Sequence, residues 1–321
     1  MRKSVMSALV IALVLGGAAT VLAHAPANAS STVFPKPVCI RAASSSSDAS
    51  VTAPLICHPW RHADNWFHTP PTILTTSFAP NEAVPSVVAY AAWIRTSTTD
   101  LALYLGVKGP GPSAFNRGPL AVPASGDARL LATFNSGFYE ADGAAGFFTN
   151  KTLYYPMING LATVVRYSNG HVNITKWNAG ARPGPTIVMA RQNLSLLVNN
   201  YRPTPASRDN QLWGVTLGGV QAVWRTALGI DANGNLIYVA APEQTSASLA
   251  QIMVQLHVVR AMQLDINPEW PIFVTYGGAG ARGATLFVPN PNQVPNRFLY
   301  PSTKDFFAVF ISRRAGEPQP W

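Results

Sequence analysis

From Val87 onward, short apolar or alternating stretches are separated by turn residues, the period-two signature of β-strands. They run Val87 to Ile94, Leu101 to Gly106, Leu130 to Phe134, Ala162 to Tyr167, His171 to Trp177, Thr186 to Ala190, Leu194 to Val198, Leu212 to Leu217, Ala222 to Ile230 and Leu236 to Ala240. Ser168-Asn169-Gly170 predicts a hairpin between the fourth and fifth, and Asp231 to Asn235 a tight turn between the last two. One segment has the helical period instead. Leu249, Ile252, Met253, Leu256 and Val259 share a face, with Ser246 or Ser248 placed to cap its start and His257 expected to pack at its apolar edge. Further strand-like stretches follow at Ala261 to Leu264, Ile272 to Tyr276, Thr285 to Val288 and Phe306 to Ile311. This order predicts an α+β domain over residues 87–315, built on a β-rich mixed sheet with few helices. Residues 30–86 are rich in Ser, Ala, Pro and Thr and read as a loosely structured lead-in.

The amino terminus has a different character. Arg2 and Lys3 precede an uncharged, mostly apolar stretch from Val5 to Ala23, and Ala-x-Ala sites follow at Ala23-His24-Ala25 and Ala27-Asn28-Ala29. Charge order and small-residue sites predict a secretory signal over residues 1–29, removed on export, with an uncleaved anchor as the competing reading. Cleavage leaves no second stretch of membrane-spanning length and predicts a secreted or cell-surface protein. Cys39 and Cys57, the only two cysteines, then read as one disulfide stapling the lead-in.

Only 12% of the residues are charged, about half the usual share, so the net charge of +9 reflects scarce acids rather than a basic run. The Arg residues are scattered and no basic stripe interleaved with aromatics appears, which argues against a nucleic-acid partner. The same charge suits an anionic polymer such as a phosphorylated cell-wall glycan. Oligomeric state is not legible.

Candidate chemistry sits at strand ends. Asn135-Ser136-Gly137-Phe138-Tyr139-Glu140 follows one strand, and an amide, a permissive glycine and aromatics suit a sugar site as well as they suit a turn. Arg225 lies inside an apolar strand, where it must pair, reach solvent or bind an anion such as phosphate. Asp265-Ile266-Asn267-Pro268-Glu269-Trp270 ends another strand with two carboxylates and an aromatic, although Asn267-Pro268 is also a turn signal. Gly278 to Gly283 spells G-x-G-x-x-G, but a strand-like stretch follows where a dinucleotide site requires a helix, leaving Arg282 as an anion contact. Cys57, His58, His62 and His68 match no zinc spacing, and no metal or cofactor is expected. Serine-hydrolase elbows, zincin motifs and Walker loops are absent, and His171 and His257 stand alone. Asn150, Asn173 and Asn193 open sequons, of use only in a eukaryotic secretory path.

Three of these segments occur in an order that resembles the phosphodiester glycosidase family, which removes N-acetylglucosamine from a phosphodiester and includes exported bacterial members. Asn135-Ser136-Gly137-Phe138-Tyr139 resembles the family's Asn-Gly-Gly-Phe-Phe, and Arg225 to Asp231 its Arg-Thr-Ala-Ile-Gly strand. The late helix and Ala261 to Asp265 resemble its Ala-Leu-Asn-Leu-Asp strand, with Arg297 at the place of a late Arg. The likeness runs from Val87 to Ser312. It implies an exported hydrolase acting on a sugar phosphodiester in a cell-surface glycan. Asp265 with Glu140 or Glu269 would form the catalytic carboxylate pair, Arg225 and Arg282 would hold the phosphate, and Asn135, Gly137 and Phe138 would hold the sugar. Where the family continues with Gly-Gly-Gly-Ser, this chain has Ile266-Asn267-Pro268-Glu269. That departure carries the alternative, a non-catalytic glycan-binding protein.

Overall fold

The computed structural model describes residues 34–42, 54–63, 70–109, 118–122, 129–143, 145–214, 219–277 and 283–312. The expected signal (1–29), His68 and Arg282 lie outside them. An eight-stranded sheet has the order Arg202–Pro203, Leu196–Asn199, Arg260–Gln263, Val223–Ile230, Leu236–Gln244, Ala89–Ile94, Ile73–Phe78, Arg61–His62. One five-stranded sheet runs Ala284–Leu286, Phe273–Tyr276, Leu130–Asn135, Phe306–Ile311, Thr99–Tyr104. The other runs Val172–Lys176, Ala162–Tyr167, Ile187–Gln192, Phe147–Thr149, Thr152–Tyr155. Every pairing given for these strands is antiparallel, so the expected mixed sheet is corrected, and with Ser246–Gln255 the one α-helix among the described residues the fold is mainly β rather than α+β.

The three sheets enclose one core. Ala92, Tyr238 and Met262 of the eight-stranded sheet meet Phe134, Phe273 and Phe307 of the first five-stranded sheet and Val164, Ile174 and Met189 of the second. Phe134 stacks on Phe273 and Phe307 with ring centroids 5.8 and 5.2 Å apart. The opposite face of the eight-stranded sheet buries Trp93, Ala227 and Val239 beneath Leu249, Ile252 and Met253 of the helix. Its central strands are therefore covered on both sides and read as continuous apolar runs instead of alternating ones.

Burial on both faces also explains Ile73–Phe78. Its Ile-Leu-Thr-Thr-Ser-Phe sequence has no amphipathic period and fell within the expected loose lead-in, yet it pairs with Ala89–Ile94 along its whole length. The Leu212 to Leu217 stretch departs the other way: Asn210–Trp213 is a short 3-10 helix. Both expected turns are present, between Ala162–Tyr167 and Val172–Lys176 and between Val223–Ile230 and Leu236–Gln244. Cys39 and Cys57 sit opposite each other in a two-stranded ribbon and form the expected disulfide.

The helix cap moves by one residue. Thr245 accepts from the Ser248 amide while Ser248 Oγ accepts from the Thr245 amide, a reciprocal capping box. His257 follows the helix in a left-handed conformation (φ 59°) with its side chain exposed, which corrects its expected place on the apolar face. No helix among the described residues is long and apolar enough to cross a membrane.

The helix approaches the sheet over Gly229. A Cβ there would lie 2.6 Å from Met253 Cε and 2.7 Å from Val258 Cγ1. Gly229→Ala is expected to overpack this contact and cost about 1–3 kcal/mol, read from urea denaturation midpoints.

Candidate functional site

Three chain segments meet at one end of the core. Asn135, closing its strand, donates from Nδ2 to Thr226 Oγ1 (2.9 Å) and to the Ser136 carbonyl (3.2 Å), while its Oδ1 accepts from Tyr238 Oη (2.8 Å) and the Ile272 amide (3.3 Å). Thr226 Oγ1 donates onward to the Asp265 carbonyl (2.7 Å), and the Asp265 amide donates to the Ser136 carbonyl (3.1 Å). The Asn135, Arg225 and Asp265 motifs are thus knotted together, although Thr226 rather than Arg225 makes the junction. All four hydrogen-bonding positions of the Asn135 amide are filled by protein. This corrects its expected sugar contact: Asn135 is the knot that fixes the strand ends.

Arg225 points to the other side of the same strand because successive side chains alternate. Its guanidinium is fully buried and donates to the Gln244 carbonyl (2.8 Å), the Trp213 carbonyl (3.0 Å), Gln263 Oε1 (2.6 Å), Asn210 Oδ1 (2.9 Å) and the Gln221 carbonyl (3.4 Å). None of these acceptors is a carboxylate. Burial alone lowers its pKa to about 10, and it remains a cation at neutral pH. With its donors engaged, Arg225 ties Asn210, Trp213 and Gln221 to the sheet, where a direct phosphate contact was expected.

Asp265 is the buried carboxylate of the site, 4% exposed. One oxygen accepts from the Asn267 amide (2.9 Å) and the other is ion-paired to Lys304 Nζ. Burial raises its pKa against the opposing pull of Lys304 and the Asn267 amide, while Asp305 pushes the same way as burial. Lys304 is itself buried, with its ammonium 4.2 Å from the Tyr139 ring centroid and 5.6 Å from that of Trp270. Arg297 stacks on Trp270 at 4.7 Å. Asp305 forms a second buried pair with Arg191 (Nε to Oδ2, 2.9 Å), and Arg191 also donates to the Phe138 carbonyl (2.6 Å).

Asn193 completes the frame, accepting from the Phe138 amide (3.2 Å) and donating to the Gln263 carbonyl (2.8 Å). Arg191, Asn193, Lys304 and Asp305 escaped sequence reasoning. Arg191 was one of several scattered arginines, and Asn193 a sequon, a use that its complete burial precludes in the folded chain. The available signal was Arg191-Gln192-Asn193 and Lys304-Asp305, polar runs at the ends of apolar strands. Gly137 sits close to this frame: a Cβ there would lie 3.1 Å from the Asn193 side chain, a tight contact.

Asp265 and Phe138 line a cleft of about 930 Å³, together with Asp142, Leu212, Ile266 and Asn267. Phe138 packs on Ile266 and is 4% exposed, so it forms a wall and not an open sugar platform. Gly214, at φ 84°, allows both side chains to close against its Cα. Glu140 starts the 3-10 helix Glu140–Asp142 and its carboxylate faces the Gly109 loop, outside the cleft lining. Glu269 is exposed and also outside it, with its amide donating to Asn267 Oδ1 (3.0 Å). The second carboxylate that borders the cleft is Asp142. Among the described residues, no group of three or more His, Cys, Asp or Glu is placed to hold a metal.

With the Asn135, Thr226 and Asp265 segments joined, the comparison with known sequences falls on the same stretch of chain. Residues 128–265 match the sequence model of the phosphodiester glycosidase family. The resemblance is to the phosphodiester glycosidases. The match is narrower than the expected Val87 to Ser312 and ends at Asp265. The fold agrees with that of the catalytic domain of zebrafish N-acetylglucosamine-1-phosphodiester alpha-N-acetylglucosaminidase auto-inhibited by its pro-peptide, at TM-score 0.50 and 14% identity over 80% of this chain and 89% of that one. A hypothetical protein from Synechocystis gives TM-score 0.39 at 11% identity, covering 75% of this chain and 62% of that one. A Burkholderia pseudomallei K96243 protein described as exported gives 0.40 at 12%, covering 70% and 74%. No curated protein matches the sequence.

Replacing the amide of the knot tests its role. Asn135→Ala takes the acceptor from Tyr238 Oη and the donor from Thr226 Oγ1, which keeps its bond to the Asp265 carbonyl, and is expected to cost about 2–3 kcal/mol in urea denaturation, whereas exposed Glu269→Ala is expected to stay within about 0.5 kcal/mol.

Proposed function

We propose that the protein is an exported glycosidase-like hydrolase that cleaves a sugar from a phosphodiester, with a cell-surface glycan as the setting. The observation that carries this reading is Asp265. The residue at which the phosphodiester glycosidase match ends is a buried carboxylate bordering a cleft of sugar-diester size, with its proton affinity raised by burial. The relative's N-acetylglucosamine phosphodiester supplies the substrate class. The signal-like amino terminus and the Cys39–Cys57 disulfide support export.

In this reading a protonated Asp265 donates to the bridging oxygen as the bond between that oxygen and the anomeric carbon breaks. Asp142, at the exposed border of the cleft, takes a proton from the water whose oxygen bonds to that carbon. Asp142 takes the place first given to Glu140 or Glu269, because it lines the cleft and they do not. Arg225 acts from behind the wall as a buried cation with no carboxylate partner among the described residues, favouring an anionic ligand by its field instead of by contact.

The second reading, a glycan-binding protein without turnover, is favoured by one feature. Ile266, Asn267 and Pro268 line the cleft where the family has glycines, so backbone amides cannot approach a ligand as closely.

The deciding measurement is release of free sugar from an N-acetylhexosamine 1-phosphodiester by the purified mature protein. Asp265→Asn and Asp142→Asn are each expected to lower kcat by roughly 10²–10⁴, with Glu269→Gln close to wild type. Full turnover by both Asp variants would sink the assignment. Glycan binding in calorimetry without released sugar over long incubation would establish the second reading.

A further inference from the structure

We infer that Lys304 is a positioning residue for Asp265: it fixes which way the carboxylate faces and how tightly it holds its proton, so that the pair is the acid–base unit of the cleft. This rests on the reading of Asp265 as the reacting carboxylate.

The backbone of Lys304 is held from behind. The Val107 amide donates to the Ser302 carbonyl (2.8 Å) and the Lys108 amide to the Thr303 carbonyl (3.1 Å). Gly106 makes that approach possible, since a Cβ there would lie 2.4 Å from the Thr303 carbonyl oxygen and 2.5 Å from the Lys304 carbonyl carbon. The side chain then runs into an aromatic cage. Tyr139 and Trp270 meet edge to face with centroids 6.4 Å apart, and the ammonium lies within cation–π range of both rings. Among the described residues Asp265 Oδ2 is its one hydrogen-bond acceptor. Aromatic faces attract an ammonium but cannot take its proton, so the cage leaves Asp265 as its one proton-accepting partner.

The cage also argues against a sugar platform at these rings. Arg297 covers Trp270 at 4.7 Å and Lys304 covers Tyr139 at 4.2 Å, so those faces already carry cations. Tyr139 keeps its proton, because burial raises its pKa.

Among the described residues, Lys304 and Asp305 come to Asp265 from the segment before Phe306–Ile311 and Tyr139 from the segment after Leu130–Asn135, while Arg297 acts on Tyr139 and Asp142 borders the same cleft. Arg191 balances Asp305. Among the described residues Lys304 is therefore the one cation in direct contact with the Asp265 carboxylate, and it opposes burial and Asp305. The sign follows. With Lys304 neutralised, burial and Asp305 are opposed by the Asn267 amide alone, and Asp265 releases its proton at higher pH. A general acid must be protonated, so the alkaline limb of activity moves up with it. Were Asp265 to act as a base or nucleophile, the acid limb would move up instead.

The test is the carboxyl ¹³C resonance of Asp265 in aspartate-labelled protein, assigned by its loss in Asp265→Asn and followed against pH. Lys304→Met is expected to raise the titration midpoint by at least about one unit, a tenfold gain in proton affinity, with Lys304→Arg near wild type. Should the methionine variant not fold, Lys304→Gln, which keeps a donor and loses the charge, is expected to give the same rise. An unmoved midpoint in a folded, uncharged variant overturns the inference. A raised midpoint in a protein that releases no sugar upholds the control of the Asp265 proton by Lys304 and sinks the hydrolase reading with its acid–base role, because this readout needs no turnover.

Discussion

Four charges are buried at the end of the core where the strands converge, and the rest of the site is arranged around pairing them. Lys304 and Asp305, neighbours in sequence, point to opposite partners: Asp265 on one side and Arg191 on the other. An ion taken out of water costs several kcal/mol unless its partner and hydrogen bonds are well placed, so neither pair tolerates loose geometry. Arg191 holds the Phe138 carbonyl and Asn193 holds its amide, which pins the loop after Leu130–Asn135. Asp265 reaches the same loop through the Ser136 carbonyl. Moving any one of these chains would leave a buried charge or amide without its partner.

The sequence carried the strands where one period dominated, and it carried the three motifs. Ala162–Tyr167 with its Ser-Asn-Gly turn and the helix at Ser246–Gln255 were legible because local chemistry decides them. Ile73–Phe78 was not, since a strand buried on both faces lacks the alternation that marks an amphipathic one. The helix count separates the expected α+β class from the mainly β fold. One helix, however well signalled, covers only one face of one sheet.

At the site, residue types were legible and their roles were not. Asn135 and Arg225 were singled out as polar residues in apolar strands, which is sound, but such residues can serve ligand or protein. Long-range hydrogen bonds decide between the two. Asn135 meets Tyr238 103 positions away, and Arg225 meets Gln263 38 positions away. The Arg191–Asp305 pair spans 114 positions, beyond anything a spacing rule detects. Conversely, Asp142 was hidden by its neighbour Glu140, because a turn fixes which of two adjacent acids borders the cleft.

Ile266-Asn267-Pro268-Glu269, the segment after Asp265, has a structural consequence that composition alone did not show. Ile266 packs against Phe138 and lies close to Gly214, next to the Trp213 carbonyl that Arg225 holds. Asn267, in turn, donates its amide to Asp265 while its side-chain oxygen accepts from the Glu269 amide, so this glycine-free segment still donates a backbone hydrogen bond to the carboxylate. A glycine-rich loop would offer several such donors to a ligand. Here the Asn267 amide is already committed to Asp265, and the cleft beside it is lined by the side chains of Ile266, Asn267 and Pro268, so any partner of that wall meets side chains before backbone.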